Sequence, residues 1–533
     1  MERNKMEEEE VAFDEMASVQ RLHELKLIAP DMTEQGIFSE ERIKNHVARG
    51  AGITLLYAPE RVDETILGEL ETLAKEAGVL SKMQRMQSGE VMNCIKGHQS
   101  ENRAVLHTAV RDFFGEENNS GPAKEAAAMA KIECDKLKQF LSSIGDEFSE
   151  LFMIGIGGSD LGPSAIYYAL EHLLIKGRKV HFINNIDPDS LALAVKGADL
   201  KRSLAVVVSK SGSTIETKTN EEFLRSKFKA AGLDPGRHFI AVTGEGSEMD
   251  DARRYLKVFY IWDWIGGRYS STSMVGGVLL GFALGFDTFW EFLKGAHAMD
   301  QVALREDIRS NLPLMGALLS VWNRNFLGMA TLAIIPYAQG MSRFPAHIQQ
   351  LSMESNGKHI DRRGNTVSHR TGMVIWGEPG TNAQHSFFQL IHQGTDTIPL
   401  EFIGFKESRF GDDYTFEKTT SQEKLIANLI AQAIALAIGQ KSNNPNREFL
   451  GNRPSHLLIA KRQDPFTIGA LLAYFEHKVA FEGFIWNINS FDQEGVQLGK
   501  VLANKVLNRM PSMKSASDPF PVADAFIKHF GDV

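Results

Sequence analysis

From about residue 150 onward, short apolar runs alternate with helix-length stretches. Runs at 151–156, 180–184, 204–208 and 238–242 are too brief for buried helices. The segments between them carry a helical pattern, one reaching Ile175 and another spanning about 214–231. This rhythm predicts strands covered on both faces of a parallel sheet, the doubly wound α/β class. A second series begins near residue 330, with strands expected at 330–335, 373–376 and 398–403 and helices at 383–393 and 423–438. Two α/β units in tandem are expected, alike in layout although no sequence repeat links them. The first hundred residues read as helical and moderately polar, with 64–77 a clear amphipathic stretch. The apolar run at 274–286 falls short of the roughly 20 residues that span a bilayer. Its four glycines suit close packing inside a domain. Residues 425–439 hold Asn428 and Gln432 within an apolar run and read as a buried helix.

Composition narrows the partners. The 533 residues carry 58 Lys and Arg against 67 Asp and Glu, a net charge of −9 without a dominant basic block. Nucleic acid is therefore not an expected partner. Cys94 and Cys134 cannot build a disulfide framework or a cysteine metal site. One disulfide stays formally possible, and a reducing cytosol is the default. The start of the chain, Met1-Glu2-Arg3-Asn4-Lys5-Met6 followed by four glutamates, lacks the apolar core of a secretory signal. A soluble cytoplasmic protein is expected, with no membrane partner.

Six loops carry candidate chemistry. Gly155-Ile156-Gly157-Gly158-Ser159-Asp160-Leu161-Gly162 closes the first strand and invites a dinucleotide reading, helped by Asp187 at the end of the second strand. The fingerprint wants glycine where Asp160 stands, at the approach of the pyrophosphate to the helix. A tight structural turn and a small-molecule site are the alternatives, the latter favoured by position beyond a strand's carboxyl end. A phosphate-loop NTPase fails, because no Gly-Lys-Ser/Thr follows. Ser209-Lys210-Ser211-Gly212-Ser213-Thr214-Ile215-Glu216-Thr217 sets five hydroxyls, one lysine and one glycine at a helix start. Free N–H groups, the helix dipole and these donors suit a phosphate monoester. An N-cap alone would explain one or two of the hydroxyls. No Mg²⁺-binding residues accompany the loop, so a phosphorylated ligand is expected rather than phosphoryl transfer.

The remaining four are weaker alone. Gly266-Gly267-Arg268-Tyr269-Ser270 lets a backbone approach a ligand and offers Arg268 to a developing oxyanion, or else makes a surface turn. Gln349-Gln350-Leu351-Ser352-Met353-Glu354-Ser355-Asn356-Gly357-Lys358 surrounds Glu354 with residues able to orient a carboxylate. Gly377-Glu378-Pro379-Gly380-Thr381-Asn382-Ala383-Gln384-His385 delivers an imidazole at a helix start. His385 and His392 lack a further ligand at metal spacing, so no metal is expected. Gly495-Val496-Gln497-Leu498-Gly499-Lys500 opens a C-terminal helix whose lysine alone would read as solvated.

In this order the six segments, with Arg103-Ala104-Val105-Leu106-His107, closely resemble the phosphoglucose isomerase family from about Asn102 to Lys505. The resemblance implies two doubly wound αβα sugar-isomerase (SIS-type) domains with parallel sheets and helical N- and C-terminal extensions. The expected organisation is a helical segment over 1–114 packed with the second domain, a smaller domain over 115–285, a larger one over 286–508 and a tail over 509–533. It also implies a homodimer with a shared active site, no cofactor, and interconversion of glucose 6-phosphate and fructose 6-phosphate in glycolysis and gluconeogenesis. By resemblance, Gly158, Ser159, Ser209, Lys210, Ser211 and Thr214 hold the phosphate and its neighbours. Glu354 moves a proton between C2 and C1 through a cis-enediol, and Arg268 stabilises the enediolate. His385, given by the partner subunit, opens the sugar ring with Lys500, while Gln350 and Gln493 position the substrate. Ring opening, a base beside a carbonyl-activated carbon and a cation for the enediolate are what aldose–ketose isomerisation requires.

The chain departs from the family pattern at Ser211-Gly212-Ser213, where Thr-Phe-Thr is usual, and at Gln497, which replaces a glutamate. Ala383 replaces a glycine, and Ser271-Thr272-Ser273 is less bulky than usual. A sugar-phosphate-binding regulator on the same fold could dispense with Glu354, His385 and Lys500. All three are present, which favours the enzyme. Nothing in the sequence supports a secreted signalling role.

Overall fold

A computed structural model describes residues 11–115, 120–510 and 519–531, and divides the chain into two compact units, Met1–Ser490 and Phe491–Val533. Eleven strands of the first unit, numbered here in chain order, form two sheets: β1 (Val47–Gly50), β2 (Ile53–Leu56), β3 (Glu150–Ile154), β4 (Lys179–Ile183), β5 (Ser203–Ser209), β6 (Phe239–Thr243), β7 (Lys257–Tyr260), β8 (Thr331–Pro336), β9 (Val374–Trp376), β10 (Leu400–Phe405) and β11 (Ser455–Ala460). The first sheet is wholly parallel, in the order β4-β3-β5-β6-β7. β3, β5 and β6 are buried along their whole length, as their unbroken apolar runs predict. Leu191 of the helix Pro188–Val195 and Leu224 and Phe228 of Ile215–Ala230 cover one face, against Phe152, Ile154, Ala205, Val207, Phe239 and Ala241. On the other side Met274–Leu284 packs against β3 and β5 and Gly121–Ile144 against β7, and Leu161–Leu170 packs on Met274–Leu284, which completes the double winding.

The second sheet repeats the layout. Its parallel strands run β9-β8-β10-β11, the counterpart of β4-β3-β5-β6, so in both sheets the chain reverses direction of winding beside the first strand. Such reversals open a crevice at the carboxyl ends of the strands. The antiparallel hairpin β1–β2 extends this sheet through β2 and β11. The expectation of a purely helical N-terminal segment is corrected there. Ala51 and Gly52 both lie at positive φ (46° and 76°), the tight turn that joins twisted strands. At the far end of the chain, helices Gln497–Leu507 and Pro521–Gly531 belong to the second unit. Arg509 and Asp524 tie them by an ion pair of 3.3 Å.

Helix packing explains the glycine-rich run. Met274–Leu284 is buried throughout, and a Cβ on Gly276 would meet the carbonyl oxygen of Ser271 at 2.1 Å. The helix Ser421–Ile438 corrects the expectation of burial on all sides. Leu429, Ala433 and Leu436 face the core, while Ile430, Ile434 and Ile438 form an exposed stripe. No helix among the described residues is long and apolar enough to cross a membrane.

Beneath the second sheet lies a buried charge network. His456 Nδ1 stands 2.7 Å from Glu60, and its Nε2 3.3 Å from Glu401. Lys478 Nζ reaches Glu401 at 2.8 Å. Burial pushes the imidazole down, but Glu401 and then Glu60 overcome it and hold the group at about 9. The folded state thus keeps a proton that the unfolded chain releases near 6.5. The stabilisation is complete below about pH 6.5 and is lost as pH rises through about 9. The thermal midpoint of the wild type is expected to fall between pH 7 and 9.5. His456→Gln should be less stable at pH 7 and should flatten that slope; an unchanged slope would exclude His456 as its source.

Candidate active site

β3 ends at Ile154, Gly155 follows, and the chain turns sharply through the 3₁₀ turn Gly157–Ser159. Gly157 sits at φ +61°. A Cβ on Gly158 would lie 2.2 Å from the carbonyl carbon of Gly267, so only glycine lets this turn touch the loop that carries Arg268. Asp160 turns inward. Its Oδ2 accepts a 2.9 Å bond from Asn184, and burial raises its pKa. Asp187 caps the helix Pro188–Val195 through the N–H of Asp189. The two acids that framed the dinucleotide reading thus have structural work.

The second loop stands on the other side of β3, after β5. Thr214 occupies the N-cap of Ile215–Ala230, yet its hydroxyl makes no cap bond to the helix. It pairs instead with Ser209 Oγ at 3.1 Å, and Ser211 Oγ pairs with Ser213 Oγ at 2.8 Å. Gly212 takes φ +66°, which gives a physical reason for glycine where the family pattern has an aromatic residue. The helix N-terminus is left with its dipole and N–H groups facing a cluster of hydroxyls. Lys210 Nζ donates to the carbonyl of Ile265 at 3.0 Å and so fastens this loop to the Arg268 loop. Burial pushes the Lys210 pKa down, with Asp263 acting the other way.

Arg268 lies in the 3₁₀ turn Gly267–Tyr269 with its side chain 1% exposed, not on a surface turn. Nε donates to Ser355 Oγ at 2.6 Å, Nη2 to the carbonyl of Ser490 at 2.6 Å, and Nη1 faces Glu354 Oε2 at 3.3 Å. Tyr269 OH meets the same Ser355 hydroxyl at 3.0 Å. Glu354 is on the last turn of the helix Phe344–Asn356, which begins with Pro345 in its first turn and stops before Gly357. Gln350, one turn earlier, donates to Glu354 Oε2 at 3.2 Å, and its Nε2 also lies beside Gly157. The Glu354 side chain is 20% exposed, so a carboxylate held on one side by a buried guanidinium remains open on the other. Ser271, Thr272 and Ser273 are buried. Ser271 packs on Gly162, where a Cβ would fall 1.9 Å from its Oγ.

His385 ends the 3₁₀ turn Asn382–His385 after β9 and is exposed. Among the described residues it makes no hydrogen bond or ion pair with Glu354. Ala383 is buried at an ordinary φ, so its position makes no demand for glycine. Gln384 Nε2 reaches Asn428 Oδ1 at 3.4 Å, which places the His385 turn beside the helix with the exposed isoleucine stripe. His392 is engaged by Gln432 at 2.7 Å. In the second unit, Gln493 precedes the turn Glu494–Val496, and Lys500 lies on Gln497–Leu507; both side chains are exposed. The structure therefore brings Gly158, Ser159, Arg268, Gln350 and Glu354 together, with the Ser209–Thr214 loop joined through Lys210. Ser355 and Ser490 were not singled out from sequence. Ser355 adjoins the base, but Ser490 contributes a backbone carbonyl, which no side-chain pattern announces.

A carboxylate–guanidinium pair and a hydroxyl-lined helix start, set at the carboxyl ends of doubly wound sheets, are the parts that a sugar-phosphate isomerase of the α/β class requires. The family model described as phosphoglucose isomerase matches residues 56–526. A glucose-6-phosphate isomerase of Protochlamydia amoebophila is 55% identical over 522 residues, 97% of each chain. One from Chlamydia pneumoniae is 51% identical over 518 residues, covering 97% of this chain and 98% of that one. The crystal structure of a glucose-6-phosphate isomerase from Chlamydia trachomatis superposes with a TM-score of 0.94 at 48% identity, covering 98% of this chain and 99% of its own. The chain belongs to the phosphoglucose isomerase family.

Proposed function

We propose that this protein interconverts glucose 6-phosphate and fructose 6-phosphate. The observation that carries the reading is the Arg268–Glu354 pair at 3.3 Å, a half-open carboxylate beside a buried cation. Glu354 takes the C2 proton of the open-chain aldose as the carbonyl electrons move to O1. Arg268 holds the charge of the resulting enediolate, and the proton returns to C1. Atoms balance with no oxidant: one proton changes carbon and one changes oxygen. Gly158, Ser159, Ser209, Lys210, Ser211 and Thr214 seat the phosphate, and Gln350 and Gln493 align the sugar. His385 and Lys500 serve ring opening.

The working unit is a homodimer whose partner supplies His385. In support, His385 is exposed in the single chain and its turn adjoins the Ile430, Ile434 and Ile438 stripe. An interface covering that stripe would bury apolar surface and carry the imidazole with it. The domain division is a smaller unit over 115–285 and a larger over 286–508, with segment 1–114 packed on the larger and a tail over 509–533. The two separate sheets support the split into two α/β domains. The site of action is the cytoplasm, and the pathway is central sugar metabolism. Purified protein given fructose 6-phosphate and glucose-6-phosphate dehydrogenase should generate NADPH at a rate indifferent to chelator. Absence of NADPH would refute the activity, and a chelator-sensitive rate would refute the metal-free chemistry.

A further inference from the structure

Behind Arg268 a line of buried polar groups runs away from the site. The Ser490 carbonyl that receives Arg268 Nη2 belongs to a residue whose hydroxyl donates to Asn356 Oδ1 at 2.7 Å. Asn356 Nδ2 in turn donates to Glu482 Oε2 at 3.0 Å and to the carbonyl of Val479 at 3.0 Å. Glu482 Oε1 stands 3.8 Å from Lys478 Nζ. Asn356 and Lys478 are at most 3% exposed, as are Ser490 and Glu482. Gly483 leaves the space the Ser490 hydroxyl occupies, since a Cβ there would fall 1.8 Å from Ser490 Oγ.

We propose that Asn356, through Ser490 and braced by Glu482, is a positioning residue that fixes where Arg268 meets Glu354. The inference rests on the roles given above to Glu354 and Arg268. Asn356 is two residues past the base and ends the same helix, while Ser490 lies on the segment after the helix Pro465–Ile485. One amide therefore locks the helix bearing the carboxylate to the backbone that seats the guanidinium. Its carboxamide uses acceptor and donors in opposite directions, a polarity that an ionised aspartate at the same position cannot supply. Asn356→Asp would set two carboxylates about 3 Å apart in a buried space. They would either share a proton or push the elements apart. A displacement on the order of 1 Å at a catalytic pair costs about 100-fold.

The Asn356→Asp enzyme is expected to lose about 10- to 100-fold in kcat, with KM within about threefold of wild type. Its kcat should fall further as pH rises and the shared proton leaves, over a range where its circular dichroism does not change. Asn356→Asp combined with Glu482→Gln restores a donor facing an acceptor between these two side chains, while the Val479 carbonyl still lacks its donor, so the double variant should recover part of the kcat that Asn356→Asp loses. Ser490→Ala, which keeps the carbonyl but loses the hydroxyl, is the second probe should Asn356→Asp fail to fold. It should lower kcat by about three- to tenfold with KM unchanged. The double variant as impaired as Asn356→Asp, or Ser490→Ala with wild-type kcat, would overturn the inference. Neither outcome touches the roles of Glu354 and Arg268, whose own failure would show as full turnover in Glu354→Gln and in Arg268→Lys respectively.

Discussion

Glu354→Gln is expected to lose about 10³- to 10⁴-fold in kcat while its affinity for a sugar-alcohol 6-phosphate stays within about threefold. The amide has the shape of the carboxylate, so Gln350 still finds an oxygen acceptor at this position. Arg268 still has the Ser355 hydroxyl and the Ser490 carbonyl to hold it. What disappears is the lone pair able to take a proton from carbon. A sugar alcohol carries the same phosphate but no carbonyl, so its inhibition constant reports binding without chemistry. Affinity that collapsed together with turnover would make Glu354 a binding residue. Retained turnover would remove it from the mechanism altogether. Mixing this variant with His385→Ala gives a further reading of the shared site. Dimers that exchange subunits would hold one site with both groups intact, and activity should reappear on mixing. No recovery after demonstrated exchange would place His385 in the same chain's site as Glu354.

Much of the scaffold was legible because buried parallel strands leave unbroken apolar runs. β3, β5, β6, β8 and β10 fall within two residues of the expected runs. The strands that escaped notice have weaker signatures. β7 is a half-buried edge of four residues, β1 and β2 are short arms of a hairpin, and β11 begins with the polar pair Ser455-His456, of which His456 belongs to the buried network. The stripe on Ser421–Ile438 could not be told from core, since isoleucine is apolar whether it meets the protein's own interior or a partner. The site divides the same way. The hydroxyl loop announced itself by density of donors at a helix start, whereas Glu354 stood out only through the family motif around it. Asn356 sits in that motif without showing what it binds, and Ser490 and Glu482 carry no local signal at all. Their contacts span more than a hundred residues of sequence, so only the closed fold assembles them.

Arg268→Lys should lower kcat by about 10²- to 10³-fold, the usual cost of a missing oxyanion donor, with a far smaller change in KM. The reason is geometric. The guanidinium presents three faces at once, to Ser355, to Ser490 and to Glu354, and a planar fork does this without bending. An ammonium can turn to any one of them but cannot span all three. Lysine would retain the formal charge, so an effect of charge alone predicts near-wild-type activity from this variant. Loss of kcat with charge preserved instead assigns the rate to a fixed direction in space, prepared before the enediolate forms. The variant also strands acceptors in a buried place, at roughly 1–3 kcal/mol for each group left unpaired. Its thermal midpoint should therefore drop, and kcat must be taken well below that midpoint. Arg268→Lys with wild-type kcat would move the enediolate's stabilisation elsewhere, and Lys210 would be the next cation to test, since it is tied to the same loop through Ile265.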